Sequence, residues 1–98
     1  MRARKNFIVI AYDISDNLRR SRIARLLEKI GSRVNYSVFE CIITDNQYFK
    51  VQHEIEKIIN KKEDAVVYYP ICVNCYSKTI YQPKQRKKFE KVLVYACI

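Results

Sequence analysis

Asp13 stands where an apolar run stops. Residues 7–12 read FIVIAY, the aspartate follows, and soon after it come Arg19, Arg20, Arg22 and Arg25. A carboxylate at the tip of a strand, facing the basic start of a helix, has the ingredients of a metal-assisted site that handles phosphate. Mg²⁺ takes oxygen ligands, usually one or two carboxylates with waters and substrate phosphates, and guanidinium forks grip phosphate through paired hydrogen bonds. One aspartate is a thin site for such an ion. A two-fold homodimer would double it: Asp13 and the partner subunit's Asp13 would share one Mg²⁺ or another divalent cation, which could activate water or stabilise a leaving oxygen. The plainer reading has Asp13 ending the strand and opening a turn with Ser15 and Asp16. Asp16 completes a D-x-x-D with Asp13, yet its residue type and place suit a helix N-cap better.

The other chemistry-bearing residues narrow the field. Gly31 is the sole glycine, so no glycine-rich loop is available to cradle a nucleotide phosphate. His53, the sole histidine, lies opposite Val51 and Ile55 on an expected helix and points to solvent, which leaves a serine or cysteine nucleophile without its usual base. Cys72 and Cys75 form a lone C-x-x-C. A structural zinc needs four ligands, and Cys41, Cys97 and His53 are scattered, so loop thiols are expected. Tyr12, Tyr36 and Phe39 fall near the Asp13 region and could stack on bases, although rings on strands are most often spent on packing.

These residues need elements to hold them. The run ending at Asp13 alternates Phe7, Val9, Ala11 and Asp13 with Ile8, Ile10 and Tyr12, apolar on both faces, as a central strand requires. A helix capped by Ser15 or Asp16 follows, with Ile23, Leu26, Leu27 and Ile30 at helical spacing and a stop at Gly31. Its polar side carries Arg22, Arg25 and Lys29 as a basic stripe. Residues 33–44 are strand-like throughout, either one long strand or two broken near Tyr36 and Ser37. Thr44 with Gln47 makes a capping box for a second helix striped by Tyr48, Val51, Ile55, Ile58 and Ile59 and ending near Asn60. Residues 64–71 are the next strand, residues 79–82 a short one, residues 83–91 a basic linker, and residues 92–98 a last strand former in need of a sheet edge. The order βαββαβ predicts an α+β, ferredoxin-like sandwich over residues 1–82, with residues 83–98 completing a sheet edge or docking a partner. Both helices then lie on one face of the sheet, and the bare opposite face favours a two-fold homodimer.

Charge points to the partner. The chain of 98 residues carries 19 Lys and Arg against 10 Asp and Glu, a net charge of +9, and such self-repulsion is offset best by a polyanion. The apolar run at residues 7–12 is far shorter than the roughly 20 residues of a spanning helix and too short for a secretory core. No membrane, a cytoplasmic location and free thiols are therefore expected. Nucleic acid is the expected ligand. Contacts to phosphate carry no sugar identity, so DNA and RNA both stay open. Neutralising about six phosphates would give log K against log[salt] a slope of about −5.

YDIS at residues 12–15, NLRRSRIARLLEKIG at 17–31 and RVNYSVFEC at 33–41 together closely resemble CRISPR-associated protein 2, a small protein of CRISPR adaptation. The likeness continues loosely through the second helix and YYPIC, and thins after Cys75. It implies a ferredoxin-like homodimer in which Asp13 meets its twin across a cleft and binds Mg²⁺ or another divalent cation. It also implies either a metal-dependent endonuclease on single-stranded RNA or double-stranded DNA, or a non-catalytic adaptor that bridges the CRISPR integrase subunits and holds DNA for spacer acquisition. By position, the family's activity or substrate contacts fall on Tyr12, Asp13, Arg20, Arg22, Arg33 and Phe39, all present here. An RNA-cleaving toxin related to virulence-associated protein D shares the fold and is the outside alternative.

Overall fold

β1 (Lys5–Asp13) is the strand on which the others are hung. Its neighbours on either side are β3 (Val38–Thr44) and β4 (Ala65–Ile71), both antiparallel to it, and β2 (Gly31–Asn35) lies outside β3. The computed structural model describes residues 5–72, 77, 78 and 80, and among these the sheet has the order β2-β3-β1-β4. With α1 (Asn17–Glu28) following β1 and α2 (Asp45–Ile58) following β3, this is the ferredoxin-like α+β arrangement that the element order predicts. The apolar alternation of β1 explains its central place, because each face has something to cover. Ile8, Ile10 and Tyr12 join Ile23, Ala24 and Leu27 of α1 and Val51 and Ile55 of α2 in the main core. Phe7 and Val9 face the other way and pack with Val38 and Ile71. Burying a side chain such as Ile8 or Ile10 stabilises the fold by about 1.5–3 kcal/mol.

Local signals set the helix starts. Asp16, in extended conformation, is the N-cap of α1, and its Oδ2 accepts from the Arg19 N–H at 2.9 Å. Thr44 and Gln47 form the full capping box of α2: the Thr44 hydroxyl accepts from the Gln47 N–H at 3.2 Å, and the Thr44 N–H donates to Gln47 Oε1 at 2.8 Å.

Gly31 does not end α1 as the spacing suggests. The helix stops at Glu28, and Gly31 is the first residue of β2, where a Cβ would lie 2.3 Å from the Glu40 carbonyl oxygen and 2.6 Å from Cys41 Sγ. Its missing side chain allows close strand approach rather than a helix cap. Residues 33–44 resolve into two strands joined at Tyr36 and Ser37, with an irregular register between Arg33 and Asn35. Lacking Gly and Pro, the turn is held by side chains, Asn35 Oδ1 accepting from the Tyr36 N–H at 2.8 Å. Of the expected strand at residues 79–82 only residue 80 is described, and it is not in a strand; the linker at 83–91 and the terminal strand at 92–98 lie outside the described residues, as does Cys75.

Candidate nucleic-acid site at the end of the first strand

The end of β1 opens into a cleft of about 400 Å³ lined by Tyr12, Asp13, Arg20, Arg33, Tyr36 and Ser37. Four of the six residues singled out from the sequence thus meet although they come from β1, α1 and β2. Pairing of Asp13 with Ala65 fixes the strand end from one side, and the Tyr12 N–H, which donates to the Ser37 carbonyl at 3.0 Å, fixes it from the other. Asp13 itself is exposed. A larger groove of about 1000 Å³ runs between α2 and β4 past Phe49, His53 and Tyr68 and shares no residue with this cleft. His53 is exposed, as its place opposite Val51 and Ile55 predicts.

Beneath the cleft lies a stack of rings. Phe39 is 0% exposed and Tyr12 is 5% exposed, with their ring centroids 6.3 Å apart and planes 25° from parallel. The Arg33 guanidinium sits over the Phe39 ring at 5.3 Å from its centre, close enough for a cation–π contact. Phe39 therefore serves the site as the seat of Arg33, and its own ring faces no solvent. The Tyr12 hydroxyl donates to the Tyr36 carbonyl at 3.3 Å. Burial raises the Tyr12 pKa above its ordinary value, with Arg33 and Arg20 pulling the other way. Tyr12 is consequently a neutral hydrogen-bond donor near pH 7 rather than a base.

The arginines of α1 do different things. Arg20 folds back on the loop after Asp13, donating to the carbonyls of Ile14 at 2.9 Å and Ser15 at 3.3 Å and to Asn17 Oδ1. It braces the loop that follows the carboxylate, and part of its donor set is used in doing so. Arg19 turns away to Asp64, with Nε donating to Oδ2 at 2.7 Å and Nη2 to Oδ1 at 3.2 Å, and Nη2 also reaches Glu63 at 3.1 Å. The sequence groups Arg19 with the phosphate-gripping residues, but its charge is neutralised by these acids. Nothing local announces Asp64 as the partner, since 45 positions separate the two. Arg22 and Arg25 are exposed on the same helix but stand outside the cleft lining.

The fit of a metal depends on counting donors. Among the described residues no three His, Cys, Asp or Glu side chains gather into a metal cluster. Asp13 offers a hard oxygen donor of the kind Mg²⁺ uses. It is the one acidic side chain that lines the cleft, within the one or two carboxylates that such an ion takes. No helix among the described residues is long and apolar enough to cross a membrane.

Known proteins resemble this chain in sequence and fold. The family model for CRISPR associated protein Cas2 matches residues 6–79. The CRISPR-associated endoribonuclease Cas2 3 of Synechocystis sp. is 46% identical over 63 residues, covering 64% of this chain and 68% of that protein. The crystal structure of Streptococcus pyogenes Cas2 at pH 6.5 superposes with a TM-score of 0.70 at 26% identity, covering 76% of this chain and 96% of the other. A chain of a partial Cas6-RT-Cas1–Cas2 complex superposes with a TM-score of 0.67 at 26% identity, covering 79% of this chain and 90% of the other. The family match runs from the second residue of β1 past the end of β4 and so takes in the whole sheet, both helices and the Asp13 cleft: the chain belongs to the CRISPR associated protein Cas2 family.

Proposed function

We propose that this protein acts in CRISPR adaptation as a two-fold homodimer that binds nucleic acid through its Asp13 clefts, working beside the CRISPR integrase and cutting phosphodiester bonds with a divalent metal. The observation that carries the reading is the cleft itself, which gathers Tyr12, Asp13, Arg20 and Arg33 from three separate elements. The Synechocystis relative named as an endoribonuclease supports the nuclease part. The neighbour from a Cas1–Cas2 complex supports the integrase as partner. Family membership favours this reading over the toxin with the same fold.

Mg²⁺ bound by Asp13 and the partner subunit's Asp13 would supply Lewis-acid stabilisation of charge at a phosphodiester. The chain's own residues do the rest. Arg33, propped on Phe39 and hydrogen-bonded to Tyr12, turns its remaining donors to a phosphate oxygen and balances charge that grows as water attacks phosphorus and the P–O bond breaks. The Tyr12 hydroxyl, whose single proton goes to the Tyr36 carbonyl, holds the turn at the edge of the cleft. Arg20 keeps the loop after Asp13 in place and offers its remaining N–H groups. Arg22, outside the cleft, grips backbone further along the strand.

A second reading, the non-catalytic adaptor that bridges integrase subunits and holds DNA, is favoured by one feature: Arg20 spends three hydrogen bonds inside its own chain. Asp13→Ala separates the two. The expected result is loss of metal-dependent cleavage by about 100-fold or more, with the variant still folded and its affinity for DNA or RNA kept within a few-fold. If spacer acquisition survives in that variant, the adaptor role is the one used in the cell. Purified wild-type protein that cleaves neither RNA nor DNA with Mg²⁺ or Mn²⁺ at any pH would sink the nuclease reading.

A further inference from the structure

Tyr36 is 88% exposed at the turn between β2 and β3, on the rim of the Asp13 cleft. Its backbone is nevertheless anchored twice, the N–H to Asn35 Oδ1 at 2.8 Å and the carbonyl to the Tyr12 hydroxyl at 3.3 Å. The next residue is tied to β1 as well, through the Tyr12 N–H and the Ser37 carbonyl at 3.0 Å. A fixed backbone therefore presents a ring that packs on little of its own protomer. Turn tips of this kind favour Asn, Asp, Gly or Ser, so folding gives no reason for an aromatic residue here. The two rings below it offer no open face, being 0% and 5% exposed.

We propose that Tyr36 is the base-stacking residue of the cleft, holding an unpaired nucleotide of a single-stranded nucleic acid. The inference rests on the nucleic-acid reading above and assigns the strand state that the site prefers. A flat ring beside Arg33 and Arg20 suits a ligand with both an aromatic face and an anionic backbone, which is a nucleotide. Inside a duplex both faces of a base are already stacked, so the ring finds a partner only where a base is unpaired. Phosphate contacts by Arg33 treat single and double strands alike, and Tyr36 supplies the difference.

Anisotropy titrations would test this with a labelled single strand, its duplex, and the same strand carrying abasic sites. Tyr36→Ala is expected to weaken binding to the single strand by about 5- to 150-fold and leave duplex affinity unchanged. Tyr36→Phe, which keeps the ring, should stay within about twofold of wild type, and abasic sites should cost wild type what the alanine variant loses. Equal losses on single strand and duplex, or no loss on either, would overturn the proposal. So would conversion of dimer to monomer by Tyr36→Ala in sedimentation, because the ring would then belong to a contact between copies. Wild-type protein that binds neither form would instead remove the nucleic-acid reading on which the proposal stands.

Discussion

Arg33 and Phe39 show how one functional side chain depends on one that never meets the ligand. Phe39 fills the core between Tyr12 and the helices, and the same ring supports the guanidinium above it. Phe39→Ala is expected to lower unfolding free energy by about 3–5 kcal/mol, read by urea denaturation, through the cavity it leaves. Arg33→Ala should behave in the opposite way. Its ion pair with Glu28 is long, at 4.0 Å, and both side chains are largely solvated, so stability should fall by less than about 1 kcal/mol. Nucleic-acid binding should weaken, with the slope of log K against log[salt] reduced by about one. Sequence reading placed both residues near the site. It could not tell seat from contact, because burial of a ring on a strand depends on what packs above it.

At the scale of elements, the Arg19–Asp64 pair fastens the start of α1 to the start of β4, on either side of Asp13. Asp64 has a fully buried side chain and also accepts from the Asn60 N–H at 2.8 Å. Its hydrogen bond from Arg19, then that from Asn60, hold its pKa below the usual 3.8. A depressed carboxylate contributes stability above its unfolded pKa and loses that contribution as pH falls through the folded one. Melts of wild type and Asp64→Asn should therefore differ by a constant amount from about pH 6 to about pH 8, and the difference should shrink below about pH 4. A difference that held steady into acid would assign the effect to packing instead. The buried Cys41 thiol, by contrast, is pushed up to about 11 by burial and by the neighbouring Glu40 charge, so it stays protonated and unreactive near neutral pH.

Among the described residues, the helices cover one face of the sheet and leave the other partly exposed. Ile42, Val67 and Tyr69 are about half exposed on the face away from the helices, along the same side of the sheet as Asp13. This face is the natural seat for a second copy under the proposed function, and it would bring the two half-sites together. Mixing supplies the test. When wild-type and Asp13→Ala subunits are allowed to exchange at equal proportions, about a quarter of two-fold dimers carry both carboxylates. Metal-dependent cleavage should then fall with the square of the wild-type fraction. A linear fall would mean that each Asp13 works alone.

Short-range patterns in the chain carried much of this. The two-faced apolar β1, the Asp16 cap, the Thr44–Gln47 capping box and the stripes of both helices are set by neighbours within a few residues, so the element order and the ferredoxin-like layering follow from them. The expectation that Asp13, Tyr12, Arg20 and Arg33 share one place came from the same order together with the family resemblance. Tertiary packing decided the rest. Whether Arg19 grips a phosphate or Asp64 depends on a contact across 45 positions, and the reason for Gly31 lies in the neighbouring strand. The break at Tyr36 and Ser37 depends on the pairing of both strands and on the Asn35 side chain, with no Gly or Pro to mark it. Caps and periodicity act through bonds a turn apart, whereas the availability of a charge or ring depends on which distant surfaces the closed sheet brings against it.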